Sequence, residues 1–121
     1  MDKSKIKILV VDDEPALGQL LRVWADSHIV VVANSADDAL TLLAFKAFDM
    51  LLTDIMMPGQ LDGIGLAEKV AALYPATKIL LMSGYSKETA TSRADIPWPL
   101  LVKPFRKEDF DAAMEKAFSY S

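Results

Sequence analysis

The 121-residue chain is predicted to form one α/β domain, a three-layer sandwich in which helices cover both faces of a central parallel sheet. Short apolar runs alternate with segments of helical spacing along the chain. Several of these runs are apolar at every position, which is typical of parallel strands that are buried on both faces. Right-handed crossovers then place the connecting helices on both sides of the sheet.

Five runs of strand length define the predicted sheet. They cover residues 6–11, 29–33, 50–53, 78–82 and 100–102. The second run is rich in β-branched residues, which favour extended structure. Helical spacing follows the runs, so the predicted order is a strand and a helix repeated five times.

The first two helices are predicted from spacing and from their starting residues. Pro15 suits the first turn of a helix, and the apolar stripe behind it consists of Leu17, Leu20, Leu21 and Trp24. The second helix begins with a sequence that resembles a capping box, Ser35 followed by Asp38. Its apolar face consists of Ala36, Ala39, Leu40 and Leu43.

Three further helices complete the prediction. The third runs from Gly63 to Leu73 and ends before Pro75. Residues 86–95, with the sequence SKETATSRAD, contain few apolar side chains and predict only a short, weakly packed fourth helix. The C-terminal helix has the clearest apolar face, formed by Phe110, Ala113, Met114, Ala117 and Phe118.

Composition excludes several classes of protein. The net charge of −4 argues against a general nucleic-acid binder, which needs a basic face. The absence of cysteine excludes disulfides and thiolate metal sites. No apolar run reaches the length of a spanning helix, and the N-terminus lacks the apolar core of a signal peptide. We therefore expect residues 1–121 to form one soluble, cytoplasmic domain that does not enter a membrane.

Polar residues interrupt the apolar pattern where the predicted strands end. Asp12 and Asp13 follow the first strand, Asp54 ends the third, Ser83 ends the fourth and Lys103 ends the fifth. In open α/β sheets, ligands bind beyond the carboxyl ends of the strands. We therefore expect three carboxylates, one hydroxyl and one ammonium group to share a crevice.

Three neighbouring carboxylates predict a cation site. Two carboxylates about 6 Å apart repel by roughly 3 kcal/mol at an effective dielectric constant near 20, so Asp12, Asp13 and Asp54 should recruit a hard divalent ion. Mg²⁺ or Mn²⁺ fits oxygen ligands of this kind. Beside such an ion, Asp54 could attack a phosphoryl group, while Lys103 and Ser83 stabilise its oxygens.

Four motifs, in order, resemble the receiver domain of two-component response regulators. They are ILVVDDEP, LLTDIMMPG, LLMSGY and LLVKPF, and together they span nearly the whole chain. The resemblance implies a flavodoxin-like fold with a parallel sheet of strand order 2-1-3-4-5. It also implies a histidine kinase or a histidine phosphotransfer protein as the phosphoryl donor.

The resemblance assigns metal ligands. It implies that Asp13 contacts Mg²⁺ directly and that Asp12 supports the ion through water. Asp54 and the backbone carbonyl of Met56 would complete the protein ligands.

The same resemblance assigns the phosphorylation chemistry. Asp54 would accept the phosphoryl group, Ser83 would move to meet it, and Lys103 would bind its oxygens. Pro104 corresponds to a proline that follows a cis peptide bond in the family.

Two positions depart from the common family pattern. Leu100 stands where the family often has a switching Tyr or Phe, which excludes an aromatic rotation at that site and leaves Tyr85 or Trp98 as substitutes. The loop PGQLDG is one residue longer than the common PGxDG. Together with MSGY and Leu100, it makes the chain similar to the receivers attached to hybrid histidine kinases or to their free-standing relatives. Met56 and Tyr85, which flank the acceptor, are poorly suited to orient water, so we expect slow autodephosphorylation.

Competing functions fit the residues less well. An aspartyl-phosphate phosphatase needs a second acid two residues after the nucleophile, and Met56 occupies that place. A flavin- or nucleotide-binding domain needs a phosphate loop after the first strand, where the sequence DDEP would repel phosphate. Asp12 and Asp13 could also serve only as negative charges at the start of the first helix, where the helix dipole favours them. That role is compatible with metal binding. His28 is interpreted as a loop residue and not as a phosphate carrier.

Signalling is expected to proceed by protein contact or onward phosphotransfer, since only three residues follow the last helix. The expected contact surface combines the fourth helix, the fifth strand and the C-terminal helix, and contains Trp98. We expect a monomer or weak dimer that catalyses nothing beyond its own phosphorylation and dephosphorylation. A domain cut from a hybrid histidine kinase is the alternative.

Overall fold

Five strands form one parallel sheet in the computed structural model, which describes residues 5–57, 61–84 and 97–119. The strand order is β2-β1-β3-β4-β5. The strands are β1 (Lys7–Val11), β2 (Ile29–Ala33), β3 (Met50–Asp54), β4 (Lys78–Ser83) and β5 (Leu100–Val102). The predicted fold class and strand order are confirmed.

Four helices pack on this sheet within the described residues. They are α1 (Pro15–Trp24), α2 (Ala36–Phe45), α3 (Gly63–Leu73) and α4 (Lys107–Ser119). The helix predicted over residues 86–95 lies outside the described part of the chain. None of the described helices is long and apolar enough to cross a membrane.

Alternation along the strands divides the core into two clusters, one on each face of the sheet. On one face, Leu9 and Leu51 pack with the buried side chains of α2 and α3. On the other face, Ile8 and Leu52 pack with those of α1 and α4, including Phe110. Burying each such side chain stabilises the fold by about 1.5–3 kcal/mol. The sheet is therefore covered on both faces, as the apolar runs predicted.

The starts of two helices are fixed by capping side chains. The Ser35 hydroxyl accepts a hydrogen bond of 3.1 Å from the Asp38 amide at the start of α2, which confirms the predicted cap. At the start of α3, Asp62 accepts a hydrogen bond of 2.8 Å from the Gly65 amide. The caps satisfy amides that have no partner within the helix.

Two predicted core residues lie at the surface. Leu20 is exposed because α1 turns Gly18 and Leu21 toward the sheet, and Gly18 lies so close to Val32 that a Cβ would stand 2.7 Å from its Cγ2 atom. The apolar pattern could not reveal this face, because a glycine adds nothing to it. Leu73, the last residue of α3, is also exposed.

Aromatic side chains connect α1 to the C-terminal part of the chain. The Trp24 ring lies 6.1 Å from that of Phe105 and 6.3 Å from that of Phe110, measured between centroids. Trp24, a member of the predicted apolar stripe of α1, thus packs across to α4. His28 lies between α1 and β2, as predicted, and its Nδ1 accepts a hydrogen bond of 3.2 Å from the Ile6 amide.

Candidate phosphorylation and metal site

The strand register brings the predicted polar residues to one edge of the sheet. Asp54 ends β3 and is paired in register with Met82, the residue before Ser83 in β4. Asp12 directly follows β1, and Lys103 directly follows β5. Because all five strands are parallel, these ends meet at the carboxyl edge of the sheet. The predicted crevice is therefore formed by loops and strand ends that are far apart in the sequence.

One ammonium group bridges two buried carboxylates in this crevice. The Lys103 Nζ atom lies 2.8 Å from Asp12 Oδ2 and 3.0 Å from Asp54 Oδ2. Asp12 is fully buried, and Asp54 is 6% exposed. Removing a carboxylate from water is costly unless it is paired and hydrogen-bonded. Lys103 supplies that pairing from the end of β5: it reaches across β4 to Asp54 and across β4 and β3 to Asp12.

Backbone amides orient the same two carboxylates. The second oxygen of Asp12, Oδ1, accepts a hydrogen bond of 2.8 Å from the Glu14 amide. Oδ1 of Asp54 accepts one of 3.2 Å from the Met56 amide. Each carboxylate therefore has one oxygen held by the main chain and one oxygen directed to Lys103.

Burial and charge act in opposite directions on the acid and the base. Burial raises the pKa of Asp54 above its ordinary value, and the hydrogen bond and charge of Lys103 offset this effect only in part. Burial also lowers the pKa of Lys103, but its hydrogen bonds to Asp12 and Asp54 outweigh burial and leave that pKa raised. Lys103 therefore remains a cation at neutral pH.

Three acidic side chains stand close enough to share a metal ion. Ligand oxygens of Asp12, Asp13 and Asp54 lie within 4.8 Å of one another. Three carboxylates facing one ammonium group leave two formal negative charges, which suits a divalent cation. Asp13 is exposed while the other two are buried, so such an ion would keep open positions toward solvent. Hard oxygen donors of this kind fit Mg²⁺ or Mn²⁺.

Ser83 lies on the far side of Asp54 from β1. It ends β4, is almost fully buried, and its carbonyl accepts a hydrogen bond of 2.7 Å from the Lys103 amide. This backbone bond fixes the starting point of the lysine side chain. The peptide bond between Lys103 and Pro104 is cis, as predicted.

The residues assigned to switching and lifetime are only partly within the described chain. Met56, two residues after Asp54, is 53% exposed, whereas Met57 is buried. Leu100 is paired with Leu81 in the sheet and packs against the core, so no aromatic ring can rotate at that position. Trp98 packs against the same core cluster. Tyr85 and the beginning of the PGQLDG loop lie outside the described residues.

Sequence reasoning did not identify Gly63 as part of this site. Gly63 is the first residue of α3 and lies against the backbone of Asp54. The available signal was a glycine directly after Asp62, which caps α3. A motif search selects residues by the chemistry of their side chains, and glycine has no side chain.

Comparison with known proteins agrees with this geometry. The family described as the response regulator receiver domain matches residues 8–115. The transcriptional regulatory protein ZraR of Salmonella typhimurium is 36% identical over 127 residues, which cover 100% of this chain and 28% of ZraR. The response regulator protein FleR of Pseudomonas aeruginosa is 37% identical over 81 residues, or 65% of this chain and 17% of FleR. The chain thus spans under a third of the length of these relatives.

Solved structures show the same fold. The signal receiver domain of an HD domain-containing protein from Pseudomonas fluorescens Pf-5 has a TM-score of 0.83 at 25% identity, with 96% of each chain covered. The response regulator TrrA of Thermotoga maritima, in complex with Mg²⁺-BeF, has a TM-score of 0.76 at 27% identity, with 95% of this chain and 99% of TrrA covered.

Proposed function

This chain belongs to the response regulator receiver domain family, and on that basis we propose that it is a signalling module controlled by phosphorylation of Asp54. The observation that carries the proposal is the buried Asp54 carboxylate, held 3.0 Å from Lys103 within a cluster of three acids. A surface acid would need no such surroundings. The TrrA structure, a complex with Mg²⁺-BeF on the same fold, supports a metal-assisted site.

Phosphoryl transfer requires little of the protein beyond position and charge. One oxygen of Asp54 attacks the phosphorus atom, a new P–O bond forms, and the leaving group departs with the electron pair of the broken bond. Lys103 leaves Asp54 Oδ2 and binds an oxygen of the transferred group, and the Ser83 hydroxyl donates to another. A bound Mg²⁺ or Mn²⁺ would neutralise charge on these oxygens, held by Asp12, Asp13, Asp54 and the Met56 carbonyl.

The donor in this proposal is a histidine kinase or a histidine phosphotransfer protein. We place this exchange in the cytoplasm. The chain performs its own phosphorylation and dephosphorylation and turns over no other substrate. Its signal passes by protein contact or onward phosphotransfer, either alone or as one domain of a longer protein such as a hybrid kinase.

Incubation with acetyl phosphate and Mg²⁺ tests the proposal. We expect intact-mass analysis to show an adduct of one phosphoryl group that is absent from Asp54→Asn. The matched control is Asp37→Asn, which removes an exposed carboxylate in the first turn of α2 and should keep the adduct. An adduct that persists in Asp54→Asn, or no adduct on the wild-type chain, would contradict the proposal.

We also propose that the phosphorylated form decays slowly, because the Met56 side chain beside Asp54 is exposed and its thioether is a poor partner for water. An amide at this place should hold attacking water, so Met56→Asn is expected to shorten the half-life of the adduct several-fold. Met56→Leu, which keeps an apolar side chain of similar size, is the control. Equal half-lives for Met56→Asn and the wild-type chain would count against this role of Met56.

A further inference from the structure

The first residue of α3 stands directly against the backbone of the proposed acceptor. A Cβ atom at Gly63 would overlap the carbonyl oxygen of Asp54, and would lie 2.7 Å from its carbonyl carbon and 2.8 Å from Ile55 Cα. All three are main-chain atoms, which cannot rotate away as the end of a side chain can. The close approach of α3 to the end of β3 therefore requires glycine at position 63.

Hydrogen bonds hold the segment after the acceptor from two sides. The Ile55 amide donates to the Met82 carbonyl of β4 at 2.8 Å. The Ile55 carbonyl accepts a bond of 2.9 Å from the Gly63 amide of α3. The Thr53 hydroxyl donates to the Asp54 carbonyl at 3.0 Å. The main chain around Asp54 is thus fixed between a central strand and the start of a helix.

The helix that makes this contact is itself well fixed. Asp62 caps its first turn through the 2.8 Å bond from the Gly65 amide. Ile64 and Leu66, in that same turn, are buried in the core cluster on this face of the sheet. Packed interiors transmit small displacements. A shift of α3 would therefore displace the backbone of Asp54 through Gly63.

We propose that Gly63 is a positioning residue for the phosphorylation site. Without a side chain, it lets α3 rest on the backbone of Asp54 and Ile55. This contact fixes the main chain that carries the Asp54 carboxylate and leads to the Met56 carbonyl, two groups that would hold the cation. Gly63 touches no reacting atom and acts only through this backbone. The inference rests on the proposed function. Metal binding should be sensitive to small shifts of this backbone, because Mg²⁺ demands near-ideal octahedral geometry.

The test is Gly63→Ala in the full chain, with Mg²⁺ affinity measured by isothermal titration calorimetry and phosphorylation by acetyl phosphate followed by intact mass. Groups that orient metal ligands typically change affinity by about 10–100-fold when they are altered. We expect the Mg²⁺ dissociation constant to rise at least about tenfold, with a matching fall in the phosphorylation rate.

Gly18 provides a matched control. A Cβ at Gly18 would meet the Val32 side chain at 2.7 Å, on the face of the sheet opposite α3. We expect Gly18→Ala to bind Mg²⁺ within about twofold of the wild-type chain, even where it lowers the melting temperature. Gly63→Ala with wild-type affinity, or an equal loss in Gly18→Ala, would overturn the inference.

A second pair of variants applies if Gly63→Ala does not fold. Asp62→Asn removes the charge but keeps a capping oxygen, whereas Asp62→Ala loses both. Because the lost cap loosens the turn that carries Gly63, we expect Asp62→Ala to bind Mg²⁺ severalfold more weakly than Asp62→Asn. Equal affinities would overturn the inference.

The wild-type chain separates the two proposals. If it binds Mg²⁺ and is phosphorylated while Gly63→Ala behaves identically, only the role of Gly63 fails. If it does neither, the proposed function fails, and this inference with it.

Discussion

Three roles of Asp54 place conflicting requirements on its surroundings. As the proposed nucleophile it must be ionised, as a strand residue it is buried, and as a proposed metal ligand it must face other acids. Lys103 reconciles these demands in the absence of metal by standing between Asp54 and Asp12. The compensation is incomplete, because burial still raises the pKa of Asp54.

The raised pKa predicts that Asp54 weakens the metal-free fold at neutral pH. A folded-state pKa above the ordinary value of 3.8 means that the native state prefers the neutral carboxyl group. Its contribution to stability is fully present below the unfolded pKa and is lost as the pH rises through the folded pKa. Asp54→Asn keeps the shape and stays neutral, so it should be more stable at pH 7 by an amount on the order of 1 kcal/mol.

Urea unfolding in EDTA between pH 7 and pH 4 measures this effect. The advantage of Asp54→Asn should shrink as the pH falls toward the ordinary pKa, because the wild-type carboxyl group then becomes neutral as well. Asp37→Asn, on an exposed carboxylate, should show no comparable gain at pH 7. A variant Asp54→Asn that is less stable than the wild-type chain at pH 7 would show that Lys103 fully compensates the burial.

At the scale of the elements, the helices on the two faces of the sheet contribute differently to the site. α3 contacts the backbone of Asp54 directly through Gly63, whereas α1 and α4 support the sheet from the opposite face. Phe110 of α4 is central to that support, because it is fully buried and lies 6.3 Å from the Trp24 ring. Buried aromatic pairs of this kind add to the free energy of burial alone.

Phe110→Ala should therefore destabilise the fold by about 3–5 kcal/mol, through lost burial and a cavity between α4 and the sheet. Urea unfolding followed by tryptophan fluorescence measures it, and Trp24 should report the change in its surroundings. The matched control is Phe45→Ala at the end of α2, where the ring is 82% exposed and its loss should cost little. Similar costs for the two variants would contradict the packing described for α4.

At the scale of the whole molecule, the sequence predicted the fold well because its strands are buried on both faces. Runs such as residues 50–53 and 78–82 admit few other structures, and a parallel sheet then places Asp12, Asp54 and Lys103 at one edge. The roles given to the individual site residues remain predictions.

Other features depend on packing that a pattern of residue types does not contain. Leu20 is exposed because Gly18 faces the sheet, and a glycine is invisible to apolar periodicity. The bridge from Lys103 to Asp12 joins residues 91 positions apart, so only the folded chain reveals which acids the lysine pairs with. The approach of Gly63 to Asp54 is hidden for the same reason, since it is defined by a missing atom.

Metal binding should be visible in the stability of the whole molecule, and Asp13 separates that effect from the fold itself. Asp13 is exposed, whereas Lys103 pairs with the two buried acids, so the metal-free fold does not depend on it. A ligand at 100 times its dissociation constant stabilises the native state by about 2.7 kcal/mol. Mg²⁺ should therefore raise the melting temperature of the wild-type chain by several degrees, and EDTA should reverse this.

Asp13→Asn should melt at or slightly above the wild-type temperature in EDTA, since it removes one of three neighbouring like charges. It should also lose most of the response to Mg²⁺, because the proposed direct ligand is gone. Asp37→Asn should keep the full response, since its carboxylate lies on α2 and outside the cluster of three acids. Differential scanning calorimetry across a Mg²⁺ titration distinguishes these outcomes. A full response to Mg²⁺ in Asp13→Asn would show that the ion binds elsewhere. Lys103 would then be the only group that holds the acids at this edge together.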